Sequence, residues 1–205
     1  MSDAYALWMT TSANVLPERL TGPGGLQLRR WVASDAEALG QALAESAEHL
    51  RPWMAFIAEE PLPLDRRRVM ISEWDRDWAQ GGDVILGAFL EGRIAGGCGL
   101  HRRIGPDGLE IGYWTHSAFL RRGVATRVAE VLTEGALALP GITRVEIHHD
   151  KDNQASAGIP RRLRFRWLGE AEREPVAPAD TTVEWRWAMD RETWGSRHVG
   201  GSIIS

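Results

Sequence analysis

The sequence predicts a single α/β domain with a mixed, mainly antiparallel sheet flanked by helices, and three observations carry that reading. A chain of 205 residues matches one domain of about 100–200 residues and leaves little room for a second. From Val84 to Trp114 apolar residues alternate between turn signals, as three antiparallel strands require. Helical patterns at 64–79 and 123–139 flank that run, and the sequence shows no repeat, low-complexity tract or second core.

Taken in order, a lead-in over residues 1–24 runs into the turn-rich Thr21-Gly22-Pro23-Gly24-Gly25. Leu26 and Leu28 alternate with Gln27 and Arg29 as a half-buried strand does. Ser34-Asp35-Ala36-Glu37 reads as a capping box, with Ser34 as the cap of a helix through about Ser46 that buries Leu39, Ala42 and Leu43. In the 64–79 helix Met70, Trp74 and Trp78 recur at four-residue spacing, which is a core stripe by default. Val84, Leu86, Ala88 and Leu90 form a strand, Glu91-Gly92 a turn, and Ile94 to Leu100 the return strand. Gly105-Pro106-Asp107-Gly108 turns the chain into Leu109–Trp114. A helix from Gly123 to Leu139 closes at Pro140-Gly141, followed by a strand from Arg144 to His149 and a short helix after Asn153. Two β-rich stretches, near 165–172 and 182–189, complete the domain.

Composition narrows the function. With 43% hydrophobic and 25% charged residues the chain is ordinary for a globular protein. The formal charge of −4 gives no overall basic field for nucleic acid or a membrane surface. Any anion site must therefore be local. The single cysteine, Cys98, cannot form an internal disulfide, so a reducing cytoplasm is the expected compartment. It lies in an apolar strand, which argues against a nucleophile. The start Met1-Ser2-Asp3-Ala4 has no basic cluster or long apolar run and is not expected to be a signal peptide; no membrane helix is expected either. The other conspicuous count is ten tryptophans, most of them expected in packing.

The segment that carries chemistry is Ile111 to Arg127. A strand leads through a short loop into a helix whose first turn holds Gly123 and Ala125. Small residues there let backbone N–H groups approach an anion, and the positive end of the helix dipole favours phosphate. Arg121, Arg122 and Arg127 add charge. Neither a P-loop nor a dinucleotide-binding glycine fingerprint is present, so nucleotide hydrolysis and dinucleotide redox chemistry lose support.

At Leu120-Arg121-Arg122-Gly123-Val124-Ala125 the sequence resembles the GNAT superfamily of acetyl-CoA-dependent N-acyltransferases, and within it the ribosomal-protein N-terminal acetyltransferase (RimJ/RimL-like) branch. That signature is Gln/Arg-x-x-Gly-x-Gly/Ala, with Leu120 departing at its first position. The branch's Glu-Ile-Gly-Tyr-Trp is present as Glu110–Trp114. Asn153-x-x-Ser156-x-x-Ile159-x-x-Arg162-Leu163-Arg164-Phe165 is similar to the family's Asn-x-x-Ser-x-x-Val-x-x-Lys-Leu-Gly-Phe, with Arg164 where glycine is usual. Leu28-Arg29-Arg30 and His49–Met54 also resemble the branch. The likeness covers residues 25–190, leaving the 1–24 lead-in and a 191–205 tail outside the domain.

The resemblance implies acetyl-CoA as cosubstrate, with a longer or charged acyl group as the alternative, no metal, and direct attack by a primary amine. It places the CoA pyrophosphate on the loop and helix start formed by Arg121, Arg122, Gly123, Val124, Ala125 and Thr126. It gives the backbone N–H groups of Trp114 and Thr115, and the neighbouring His116, to the thioester oxygen and pantetheine. Asn153 would contact the CoA arm and Ser156 would protonate the departing sulfur, although the pair equally reads as an N-cap and an ordinary third helical position. Pro160 should kink that helix, since it cannot donate to the Ser156 carbonyl. The base stays open between Glu110, Glu170, His116 and a water chain. His148-His149-Asp150 is not expected to bind metal, because strand neighbours face opposite sides. Protein N-termini and small amines are the acceptor classes, and homodimers are common in the branch. Acceptor selection is expected at 48–63, with His49, Trp53, Phe56, Glu59 and Glu60, and in the loop 170–182. A second reading is a catalytically weak CoA-binding module of the same fold, a sensor or interaction partner.

Overall fold

Period-two alternation builds eight strands into one sheet. In the computed structural model, which describes residues 16–199, they are β1 (Arg19–Gly22), β2 (Leu26–Arg30), β3 (Val84–Leu90), β4 (Arg93–His101), β5 (Gly108–Thr115), β6 (Arg144–Asp150), β7 (Arg166–Glu172) and β8 (Val183–Asp190). The spatial order is β1-β2-β3-β4-β5-β6-β8-β7. Every pairing is antiparallel except β5 with β6. The helices are α1 (Ala36–Leu50), α2 (Leu64–Ala79), α3 (Val124–Ala138), α4 (Gln154–Arg162) and α5 (Arg191–Val199).

The two faces of the sheet bury separate cores. Leu28, Leu86, Leu100, Ile111, Val145 and Ile147 pack on Val128, Leu132 and Ala136 of α3. Trp31, Phe89, Leu39, Leu43 and Ile71 form the second core beneath α1 and α2. Among the described residues no helix is long and apolar enough to cross a membrane. The sheet begins ahead of Leu26, since β1 pairs along β2 from Arg19↔Arg29 to Gly22↔Leu26. After residue 190 the chain continues into α5, whose Trp194 is buried in the first core. The globular body thus extends on both sides of 25–190. Residues 1–15, including Trp8 and the opening tetrapeptide, lie outside the described residues.

The expected helix cap is corrected. Ser34 is exposed, and Asp35 does the local work instead. Its carboxylate accepts from the Val32 amide at 2.9 Å and from both Arg29 nitrogens at 2.7 and 2.9 Å. Arg29 lies one strand residue from the core-facing Leu28 and draws Asp35 inward, which a local capping pattern does not register. The Glu91-Gly92 turn forms with φ values of 52° and 74°, matching the twist of the β3–β4 hairpin. Arg164 takes φ 55°, the left-handed conformation glycine would supply. The turn between α4 and β7 therefore forms despite the substitution.

Candidate active site

Strands β5 and β6 pair only from Gly108↔Arg144 to Glu110↔Glu146, then diverge. Beyond that point β5 runs on to Thr115 and β6 to Asp150, so a wedge opens between them. The direction of the free β5 groups follows from its other neighbour. His116 donates to the Ala95 carbonyl at 2.9 Å, and the β4–β5 register is continuous from Gly96↔Thr115 to His101↔Glu110. Antiparallel alternation then turns the Gly112 and Trp114 amides toward β4 and those of Tyr113 and Thr115 into the wedge. The assignment of backbone donors to Trp114 and His116 is thereby corrected, because both amides are spent in the β4 ladder. The Tyr113 and Thr115 amides are the ones that face the wedge.

The wedge leads to the start of α3. Arg121 and Gly123 both lie in the left-handed region, at φ 57° and 71°. A Cβ at Gly123 would meet nothing within 4 Å, so the conformation, not crowding, calls for glycine. Arg127 N–H closes the first helical bond on the Gly123 carbonyl at 3.1 Å. That leaves the amides of Val124, Ala125 and Thr126 without intrahelical acceptors at the positive helix end. The three arginines separate. Arg121 is exposed, Arg122 lies 4.9 Å over the Phe119 ring, and Arg127 donates to the Pro23 and Arg122 carbonyls at 3.1 and 3.4 Å. Arg127 is thus a brace for the loop.

Across the wedge, Asn153 Oδ1 accepts from the Ser156 amide at 3.0 Å and caps α4. Pro160 lies inside α4 and leaves the Ser156 carbonyl without the donor four residues on. The Ser156 hydroxyl lies 2.9 Å from the Tyr113 hydroxyl, joining α4 to β5. Burial pushes the Tyr113 phenol above its ordinary pKa, and the Ser156 bond only partly offsets this. The pair is therefore neutral at physiological pH, with a proton available at either oxygen.

The α1 face is tied to the same strand end. His49 Nε2 donates to the Thr115 carbonyl at 2.9 Å, and Ser46 Oγ accepts from the Ser117 amide at 3.1 Å. His116 Nδ1 accepts from the Ala118 amide at 3.0 Å, and its Nε2 lies 3.2 Å from Glu45. Both ring nitrogens are engaged, which makes His116 a structural residue.

Glu110 sits at the closed end of the wedge. Arg103 donates to its two oxygens at 2.7 and 2.5 Å. Burial alone would raise its pKa, but the Arg103 bonds and the neighbouring His148 and Arg103 charges outweigh it and hold the carboxyl below its ordinary value. His148 bridges three strands, with Nε2 2.7 Å from Glu146 and Nδ1 3.4 Å from Glu110 and 3.6 Å from Glu184. His149 faces the other way, donating from Nδ1 to the Asp150 carbonyl at 2.8 Å and accepting at Nε2 from the Trp187 indole at 3.0 Å. Glu170 is held by the Trp185 indole at 3.0 Å on the outer hairpin.

A cavity of about 620 Å³ runs from Ser156 and Tyr113 past Glu110 to the loop after α1. Trp31, Trp53, Phe56, Trp74 and Trp114 line its far part. Glu60, by contrast, is bound inward, paired with the buried Arg67 at 2.9 and 2.5 Å. Cys98 faces the α3 core, and burial pushes its thiol pKa far up, so it is no nucleophile. Sequence reading missed Tyr113, His148 and the joint contribution of Trp31 and Trp74. The Tyr113 hydroxyl stood inside a quoted motif, whereas the other partnerships join residues distant in sequence.

Comparisons with known proteins bear on the family and the fold. The family model described as an acetyltransferase (GNAT) domain matches residues 26–166. A putative ribosomal N-acetyltransferase, YdaF of Bacillus subtilis (strain 168), is 28% identical over 148 residues, covering 71% of this chain and 80% of that protein. The structure of a probable acetyltransferase superposes with a TM-score of 0.75 at 25% identity, covering 82% of this chain and 94% of its own. RimL, a ribosomal L7/L12 α-N-protein acetyltransferase solved with CoA, has the same fold, with a TM-score of 0.73 at 21% identity over 88% of this chain and 99% of its own. With the family model spanning more than half the sequence and the wedge, loop and capped helix in place, the chain belongs to the GNAT acetyltransferase family.

Proposed function

We propose that the protein transfers an acetyl group from acetyl-CoA to a primary amine, with the cosubstrate in the β5–β6 wedge. The observation that supports this most is the wedge itself, where the free Tyr113 and Thr115 amides, the α3 start and the Ser156–Tyr113 hydroxyl pair converge. The fit to CoA is physical. Unpaired amides at Val124, Ala125 and Thr126 suit a pyrophosphate, the edge amides of Tyr113 and Thr115 suit a pantetheine arm, and Asn153 stands where that arm would pass. Acetyl-CoA supplies an acyl group already activated as a thioester.

The chain's own residues do the rest. Glu110 stays ionised at neutral pH, so it is placed to hold the ammonium and take its proton through water. Because its pKa is low, that proton is passed on and not stored. Ser156, backed by Tyr113, supplies a proton at the sulfur. In the net reaction an amide C–N bond forms and the thioester C–S bond breaks. The ammonium loses two protons, one ending on the thiol and one in solvent. A reducing cytoplasm suits the buried, unpaired Cys98. Isothermal titration with acetyl-CoA, followed by free-thiol release over an amine panel with mass detection of the acetylated product, tests this reading. Failure to bind acetyl-CoA overturns it.

A further inference from the structure

The acceptor end of the cavity has a composition that selects a chemical class. Its walls are aromatic: Trp31 comes from just after β2, Trp53 and Phe56 from the segment after α1, Trp74 from α2 and Trp114 from β5. Trp53, Trp74 and Trp114 are half-buried and Phe56 is 42% exposed. Trp31 belongs to the second core and Trp74 and Trp114 pack partly against it, so Trp31 backs the wall while Trp53, Phe56 and the open faces of Trp74 and Trp114 present ring surface to the cavity. The floor is Gly97, Gly99 and Gly112. A Cβ at Gly97 would come within 2.4 Å of the Trp114 indole nitrogen, so glycine lets that ring lie down on the sheet. The volume of about 620 Å³ falls within the ordinary range for small-molecule sites.

Carboxylates line the cavity at both ends. Glu110 and Glu184 line the cavity beside the wedge, each already paired with an arginine (Arg103 and Arg186), and Glu59, which has no ion-pair partner among the described residues, lines it on the loop after α1. A peptide N-terminus would bring backbone N–H groups into this space within one or two residues of its amine. Tryptophan and phenylalanine side chains offer them no acceptor, and the floor glycines lie in strands already paired in the sheet. Leaving such groups unpaired is costly. An aromatic amine has no such groups, gains from ring contact and keeps a single cation for the carboxylates.

We propose that the acceptor is a small primary amine on a planar aromatic body, its ring held among Trp31, Trp53, Phe56, Trp74 and Trp114 and its ammonium directed toward Glu110 and Glu184. The proposal rests on the acetyltransferase reading above. Steady-state thiol release at saturating acetyl-CoA would compare tryptamine and 2-phenylethylamine with butylamine, spermidine and eight-residue peptides beginning with serine or alanine. The expected result is a kcat/KM at least tenfold higher for the two aromatic amines than for any other acceptor. In the Phe56→Ala variant KM for tryptamine should rise about fivefold, and in Trp53→Ala tenfold or more, with the acetyl-CoA Kd within twofold. Circular dichroism melts confirm folding, and the exposed Phe56 keeps the test valid should Trp53→Ala not fold. A peptide or spermidine turned over as well as tryptamine overturns the proposal and leaves the acetyltransferase reading standing. Acetyl-CoA binding without turnover of either aromatic amine overturns it too. Loss of acetyl-CoA binding in the unaltered protein overturns the reading beneath it.

Discussion

The two sides of the wedge are built from different materials. On the side proposed for the cosubstrate the available groups are backbone amides, positioned by strand register, two left-handed residues and a helix start. On the side proposed for the acceptor they are side chains gathered from the residue after β2, the loop after α1, α2 and β5. The first kind of site tolerates changes of side chain and fails when the backbone is disturbed. The second keeps its backbone and changes its ligand with a single substitution. The difference explains how one fold can hold one cosubstrate and accept many amines.

The largest expected effect falls on the acceptor wall. Arg67 pairs with Glu60 where both side chains are at least nine-tenths buried, and a Cβ on Gly40 would lie 3.1 Å from Arg67 Nε. Arg67→Ala strands the Glu60 carboxylate, so the variant should lose about 3–5 kcal/mol in urea unfolding. In the folded fraction at low temperature acceptor KM should rise while acetyl-CoA affinity, read by titration calorimetry, stays near the wild-type value. Equal losses on both sides would break the comparison.

Ser156→Ala comes next, with kcat lowered on the order of 30- to 100-fold in single-turnover assays and acetyl-CoA Kd changed less than threefold. Retained turnover would leave the proton with Tyr113 alone. On the backbone side, Gly123→Val forces a β-branched residue into the left-handed region, at roughly 1–2 kcal/mol of stability by thermal melt. Acetyl-CoA affinity should fall at least tenfold, whereas Arg121→Ala, a side-chain change in the same loop, should cost only a few-fold.

Two smaller effects sharpen the picture. The folded pKa of Glu110 lies below its unfolded value, so its stabilisation is full above about pH 4.3 and is lost as pH falls through the lower folded value. Glu110→Gln should therefore flatten the acid limb of the stability profile measured by chemical denaturation, and identical acid limbs would show that Arg103 and His148 do not hold the carboxyl low. Arg164→Gly should stabilise by about 0.5–1 kcal/mol, since glycine adopts φ 55° without strain, a gain readable as a rise of a few degrees in Tm.

What was legible in the sequence divides along the same line. Gly123, the 120–125 spacing, the Asn153 cap and the strand alternation at 84–114 are local patterns, and local patterns survive in one dimension. The inversion that sets β8 between β6 and β7 is not local, nor is the meeting of Glu110, Glu146 and Glu184 around His148. The reading of Ser34 as a cap failed because Arg29, on the preceding strand, recruits Asp35. That the Trp114 amide turns into the β4 ladder could not be read locally, since the direction of a strand N–H depends on which neighbour it pairs with.

The three contacts from α1 to the end of β5 have a thermodynamic consequence. Glu45, Ser46 and His49 grip His116, Ser117 and Thr115, while Leu39 and Leu43 of the same helix line the acceptor cavity. A displacement at one end of α1 is thus felt at the other. Whatever factor a bound cosubstrate applies to amine affinity through this helix, a bound amine must return to the cosubstrate in equal measure. The order in which the two arrive can change the rates but not that shared factor.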